Sequence, residues 1–198
     1  MKGLFVPGLY CRSEIWEAAP AGLPGVEVAA LDWPWPERLD SLDACAAWLA
    51  GEIECHGANF VVGHSFGGIV ALHLGPPLPL VIVDTFLVTP HPFFRNHVWE
   101  PTTALGVRIA AMLADERPRF PVLGVVASAD DPPEWRDRVL RQGARFVYGG
   151  RSGEHPATAL GELAGVPAGH DVRVVPRSSH FLMLERPEPF YATLRALL

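Results

Sequence analysis

Two alternating rhythms of apolar residues run along this chain. Short continuous runs rich in Val, Leu and Ile occur at residues 4–6, 26–31, 59–63, 78–84, 121–127 and 171–175. Runs this short, bounded by Gly, Pro and Asp, predict strands buried on both faces. Between them the apolar positions return every three or four residues. In residues 39–56, Leu42, Cys45, Ala46, Leu49 and Ile53 share one helical face, and Asp40 or Ser41 is placed to cap its start. A second helix is predicted directly after residue 63, beginning at residue 67, a third over 105–114, and a C-terminal one over 187–198 with proline in its first turn. Residues 145–148 read as a further short strand.

Strand–helix alternation of this kind predicts an α/β fold: a doubly wound, mainly parallel sheet of about six strands with helices on both faces. With 198 residues the chain is one domain's worth, residues 1–198. Residues 85–118 interrupt the rhythm, aromatic at the start and helical later, and are expected to form a small cap within that domain.

Composition narrows the function classes. The net charge is −6 and no Lys/Arg stripe occurs, which argues against nucleic acid and anionic membranes as partners. No apolar run approaches the ~20 residues of a membrane span, and the apolar start is too short for a signal peptide. A cytoplasmic location is the expectation. The three cysteines lack C-x-x-C spacing, so neither a disulfide framework nor a metal knuckle is expected. Cys45 and Cys55 are expected to be buried on their helix, and Cys11 to be an ordinary loop thiol.

The chemistry concentrates at Gly63-His64-Ser65-Phe66-Gly67. This is G-x-S-x-G, set between a predicted strand and a predicted helix. That context is a tight turn holding a serine with its oxygen exposed, beside a helix N-terminus. Chance would supply roughly 0.06 such matches in a chain of this composition. Ser65 is therefore the candidate nucleophile.

Together with the strand–helix order, this motif resembles the α/β-hydrolase superfamily over nearly the whole chain. The resemblance implies the α/β-hydrolase fold, no cofactor and a triad in the order nucleophile, acid, histidine. Arg177-Ser178-Ser179-His180-Phe181, after the last strand, resembles the family's histidine loop, which implies His180 as the base. The acid is expected after the strand at 121–127. Counting from Pro121 to the family's G-x-x-D gives Asp130, with Ala127 at the glycine position. Asp131 and Asp84 remain open alternatives, Asp84 because some hydrolases carry the acid after the preceding strand. Pro7-Gly8-Leu9, followed by Trp16, resembles the family's oxyanion loop with proline in place of histidine. It implies the N–H groups of Leu9 and Phe66 as the oxyanion donors. Gly8, His64, Phe93 and Trp99 are candidates for lining the substrate site. No metal site is expected.

The implied activity is that of a serine hydrolase acting on a small-molecule ester or thioester of a small, largely apolar acyl group. Acyl transfer or a lyase reaction on the same triad, and a non-catalytic binding protein on the same fold, are the alternatives. The sequence leaves the natural substrate and the oligomeric state open.

Overall fold

The computed structural model describes residues 1–34, 39–89, 91–95, 98–121, 124, 143–151, 153 and 155–198. Six strands, β1 (Lys2–Val6), β2 (Glu27–Ala30), β3 (Phe60–His64), β4 (Leu80–Val83), β5 (Arg145–Gly149) and β6 (Val172–Val175), form one sheet. Its order is β2-β1-β3-β4-β5-β6 and every pairing is parallel. The described helices are α1 (Ala19–Gly22), α2 (Leu42–His56), α3 (Phe66–Leu74), α4 (Pro92–Arg95), α5 (Ala104–Glu116), α6 (Ala157–Leu163), α7 (Leu182–Glu185) and α8 (Pro187–Leu197).

The strands are apolar on both faces because both are covered. Leu4, Val6, Val61, Ile82, Phe146 and Tyr148 face one core, shared with α2, α3 and α6. Phe5, Phe60, Val62, Val81, Val83 and Val147 face the other, shared with α1, α5, α7 and α8. The period of two within each strand decides which side chain enters which layer. Helix α2 starts where the sequence predicts, with Ser41 Oγ accepting from the Ala44 N–H at 3.1 Å. It stops at Gly57 in the left-handed region, φ +60°. Cys45 is buried there, whereas Cys55 lies on the exposed side of the same helix, against expectation.

One strand differs from the sequence reading. The neighbour of β4 is Arg145–Gly149, paired from Val81↔Arg145 to Val83↔Val147. In the run 121–127, the two described residues, Pro121 and Gly124, have helical backbone. A short apolar run fits a buried helix as well as a strand, and periodicity alone does not separate them. The chain between β4 and β5 is thus a long excursion that carries α4 and α5.

The strand order reverses at β1, which lies between β2 and β3. In such sheets the crevice at the carboxyl ends of the strands, at the reversal, is where ligands bind. The residues after β1 and β3 are Pro7-Gly8-Leu9 and Ser65.

Candidate active site

Ser65 stands between the last residue of β3 and the first of α3, at φ +52° and ψ −121°. Left-handed φ in a residue with a side chain is strained, and the surroundings enforce it. The Ser65 N–H donates to Val83 O at 2.9 Å, continuing the β3–β4 ladder. Its carbonyl accepts from the Gly68 N–H at 2.9 Å and lies 3.0 Å from the Thr85 hydroxyl. The motif glycines let the layers close. A Cβ on Gly63 would stand 2.7 Å from Gly67 O, and one on Gly67 would stand 2.8 Å from Val6 O and overlap Pro7 O.

Helix α3 begins at Phe66, whose N–H therefore has no acceptor within the helix. The loop after β1 lies directly against this turn, since a Cβ on Gly8 would be 3.2 Å from Ser65 Cβ. Gly8 O accepts from the Trp33 indole N–H at 2.8 Å and from the Cys11 N–H at 3.1 Å, which pins the loop. Trp33 in turn packs on Phe66, ring centroids 5.5 Å apart. The Cys11 thiol is buried in this loop and donates to Leu9 O at 3.5 Å. Burial pushes that thiol well above its ordinary range.

His180 lies on the loop between β6 and α7. Its Nδ1 is 2.8 Å from Asp84 Oδ2. An ionised carboxylate only accepts, so Nδ1 carries the proton and Nε2 is left as the basic nitrogen. The His180 N–H donates to Val98 O at 3.0 Å. Its carbonyl accepts from His64 Nε2–H at 2.9 Å. His64 is fully buried, so it braces the His180 backbone rather than facing a substrate. Burial first, and the neighbouring His180 second, push His64 down to about 3, so the ring is neutral.

Asp84 directly follows β4 and is itself left-handed, φ +42°. It is completely buried. Its Oδ1 accepts from the Gly149 N–H and from Arg151 Nη1, both at 2.9 Å. Its Oδ2 accepts from Arg151 Nη2 at 2.8 Å besides His180. Burial alone would raise this carboxyl. The Arg151 charge and the bonds from His180 and Arg151 outweigh it and hold Asp84 well below the usual carboxylate range.

Of the three candidate acids, Asp84 meets His180, and Asp130 and Asp131 lie outside the described residues. β5 ends at Gly149, and the sequence continues Gly150-Arg151-Ser152, with a serine where G-x-x-D would have its aspartate. Arg151 was not singled out from sequence, because a lone arginine in a Gly-rich stretch carries no mark of burial. Phe93 and Trp99 pack apart: Phe93 on Phe94 and His155, centroids 5.4 and 4.8 Å, and Trp99 on Phe181, 5.7 Å. Among the described residues no three His, Cys, Asp or Glu side chains are grouped to hold a metal ion, and no helix is long and apolar enough to cross a membrane.

The five non-glycine residues with left-handed φ among the described ones are Tyr10, Ser65, Asp84, Arg151 and Arg177. They follow β1, β3, β4, β5 and β6 in turn, so all lie at the same edge of the sheet.

Comparison with known proteins agrees with this fold. Residues 4–193 match the model of an alpha/beta hydrolase family. A lipase of Mycobacterium tuberculosis, LipV, is 33% identical over 96 residues, a stretch that is 44% of this chain and 36% of that protein. The chain thus spans little more than a third of that relative's length. A thermophilic esterase from Thermogutta terrifontis superposes with a TM-score of 0.76 at 19% identity, over 99% of this chain and 88% of that one. An esterase of M. tuberculosis gives 0.67 at 24% identity, over 98% and 84%. With a serine at the strained turn after β3, a His–Asp pair at the ends of β6 and β4, and a family match over nearly its full length, this chain belongs to the alpha/beta hydrolase family.

Proposed function

We propose that the protein is a serine hydrolase that cleaves an ester or thioester of a small, largely apolar acyl group through an acyl-enzyme. Ser65 Oγ attacks the carbonyl carbon while His180 Nε2 takes its proton. The N–H groups of Leu9 and Phe66 receive the developing oxyanion. His180 then gives the proton to the leaving alcohol or thiol as the acyl–oxygen or acyl–sulfur bond breaks. Water, activated by the same imidazole, releases the acid and restores Ser65. Asp84 is the acid in this reading; it holds the Nδ1–H tautomer and stabilises the imidazolium.

The observation that carries the reading is the pairing of His180 Nδ1 with the buried Asp84 at 2.8 Å beside a left-handed Ser65. A small apolar acyl group is supported by Phe86, which is stacked on the His180 ring at 6.3 Å. Residues 85–118 act as a small cap over this edge of the sheet. The lipase and esterase names of the relatives support ester chemistry in general terms.

A fluorophosphonate probe and a panel of p-nitrophenyl esters of increasing acyl length test it. The wild type is expected to label and to prefer short chains, and Ser65→Ala to do neither. Labelling of Ser65→Ala equal to wild type would overturn the assignment. Product analysis with an added alcohol acceptor separates hydrolysis from acyl transfer.

A further inference from the structure

Arg151 has no step in that mechanism, yet its ion pair with Asp84 is buried on both sides. Its side chain is entirely buried. Its two terminal nitrogens grip the two oxygens of Asp84, at 2.9 and 2.8 Å, and Nη1 also donates to Gly149 O at 2.9 Å. Its backbone N–H donates to Ser178 O at 2.8 Å, two residues before His180. The guanidinium lies 4.8 Å from the Phe94 ring centroid. Arg151 therefore touches the end of β4, the end of β5, the histidine loop and α4 at once.

We propose that Arg151 is a positioning residue of the active site: its two-point grip fixes the plane in which Asp84 meets His180. The inference rests on the reading of Ser65, His180 and Asp84 given above.

A carboxylate held by His180 alone is free to turn about its Cβ–Cγ bond. A planar fork bound to both oxygens removes that freedom, and a lysine, which is a point charge, does not. The charge acts in the same direction, since a buried cation beside Asp84 keeps that carboxylate ionised. Among the described residues, the other ionisable groups around the pair are His64, which is neutral, and Tyr148, whose phenol burial raises far above its usual range. On the outer side, Arg151 lines a cavity of about 520 Å³ shared with Glu100, Arg177 and Glu185. Glu185 is occupied there by the Ser179 backbone N–H at 2.5 Å and by the Ser179 hydroxyl. None of these replaces a cation on Asp84.

The cavity and the backbone suggest the test. Arg151 has φ +56°, so glycine suits the position, and the vacated space adjoins a cavity large enough to admit a free guanidinium ion. The measurement is kcat and KM for wild type, Arg151→Gly and Arg151→Lys, normalised to the fraction labelled by fluorophosphonate, with and without millimolar guanidinium. Arg151→Gly is expected to lose about 10²-fold in kcat, less than the ~10⁴-fold expected for removing a triad acid's charge. Guanidinium should restore about tenfold. Arg151→Lys should lose about tenfold in kcat with KM unchanged. Unchanged kcat in a folded Arg151→Gly variant would overturn the inference. So would a loss with no guanidinium response. If the glycine variant does not fold, Arg151→Lys decides, and wild-type kcat in it refutes the two-point grip. Activity in Ser65→Ala would instead overturn the triad reading, so the two failures are distinguishable.

Discussion

Replacing Asp84 with asparagine changes one atom and divides the site's two ionic partnerships. Asparagine tolerates left-handed φ well, so the backbone at +42° is kept. The carboxylate accepts four hydrogen bonds, two on each oxygen, and an amide accepts on only one side. With its oxygen toward the Gly149 N–H and Arg151 Nη1, its NH2 faces Arg151 Nη2 and His180 Nδ1. The imidazole then relaxes to the other tautomer, with Nδ1 accepting and Nε2 protonated. That form cannot take a proton from Ser65. The corresponding change in a serine-protease triad lowers kcat by ~10⁴, so a loss of that order, about 5.4 kcal/mol in the barrier, is expected for Asp84→Asn. Stability falls as well, since Arg151 is left with a buried and only half-matched charge. Breaking a buried pair costs about 3–5 kcal/mol, which in a domain of this size is roughly 6–20 °C in Tm. Ester turnover at a temperature well below the melt, with a phosphonate labelling rate alongside, separates the two effects. Asp130→Asn and Asp131→Asn are the controls. Asp84→Asn within tenfold of wild type, or an equal loss in either control, would show that another carboxylate serves His180.

Other expectations follow from the same geometry. Gly67→Ala forces a Cβ onto the backbone carbonyls of Val6 and Pro7; about 1–3 kcal/mol of stability and at least tenfold of kcat should be lost as the loop after β1 is pushed away, and a thermal melt and turnover both at wild-type values would refute this. His64 must take up a proton on unfolding once the pH is below 6.5, so its share of stability is intact above 6.5 and lost at about 1.4 kcal/mol per pH unit down to about 3. Urea unfolding across that window should therefore be less acid-sensitive in His64→Gln, and equal slopes would contradict a neutral buried imidazole. One thiol per chain, Cys55, should react quickly with a chromogenic disulfide, while the buried Cys11 and Cys45, the latter pushed up to about 11, react only after unfolding. Fast reaction at Cys11 would mean that the loop after β1 is not packed as described.

The candidate nucleophile and the candidate base were legible because each carries its context in a few adjacent residues. G-x-S-x-G needs only the strand before it and the helix after it, and His180 only its place after the last strand. The carboxylate that pairs with His180 was not legible, for a traceable reason. Residues 121–127 read as a strand more strongly than RFVYG, which begins with an arginine and has only three apolar residues in a row. Tying the acid to that run drew the register to Asp130. What selects Asp84 is tertiary: Arg151, 67 residues later, neutralises it, and His180, 96 residues later, meets it. The helical spacing of α2 and its Ser41 cap were correct to within a few residues, since both are local. The exposure of Cys55 was missed, because neighbouring positions on a 3.6-residue helix differ in burial by where the partner layer ends.

The five strained residues along the sheet edge make this protein's functional rim its thermodynamic debtor. Each left-handed side chain holds on the order of 1–3 kcal/mol that the close-packed layers beneath must restrain. Directed evolution for heat resistance alone would therefore be drawn to this rim. Glycine at Tyr10 or Arg177 should relieve strain near the site while sparing Ser65, His180 and Asp84. At 65 and 84 the same relief would erase the chemistry. Arg151 joins them, since its glycine variant is expected to lose activity, so thermostability and turnover are opposed at three positions of the rim and separable at the other two; a library confined to residues 10 and 177 explores gains that a whole-gene screen would find mixed with inactive, heat-stable variants.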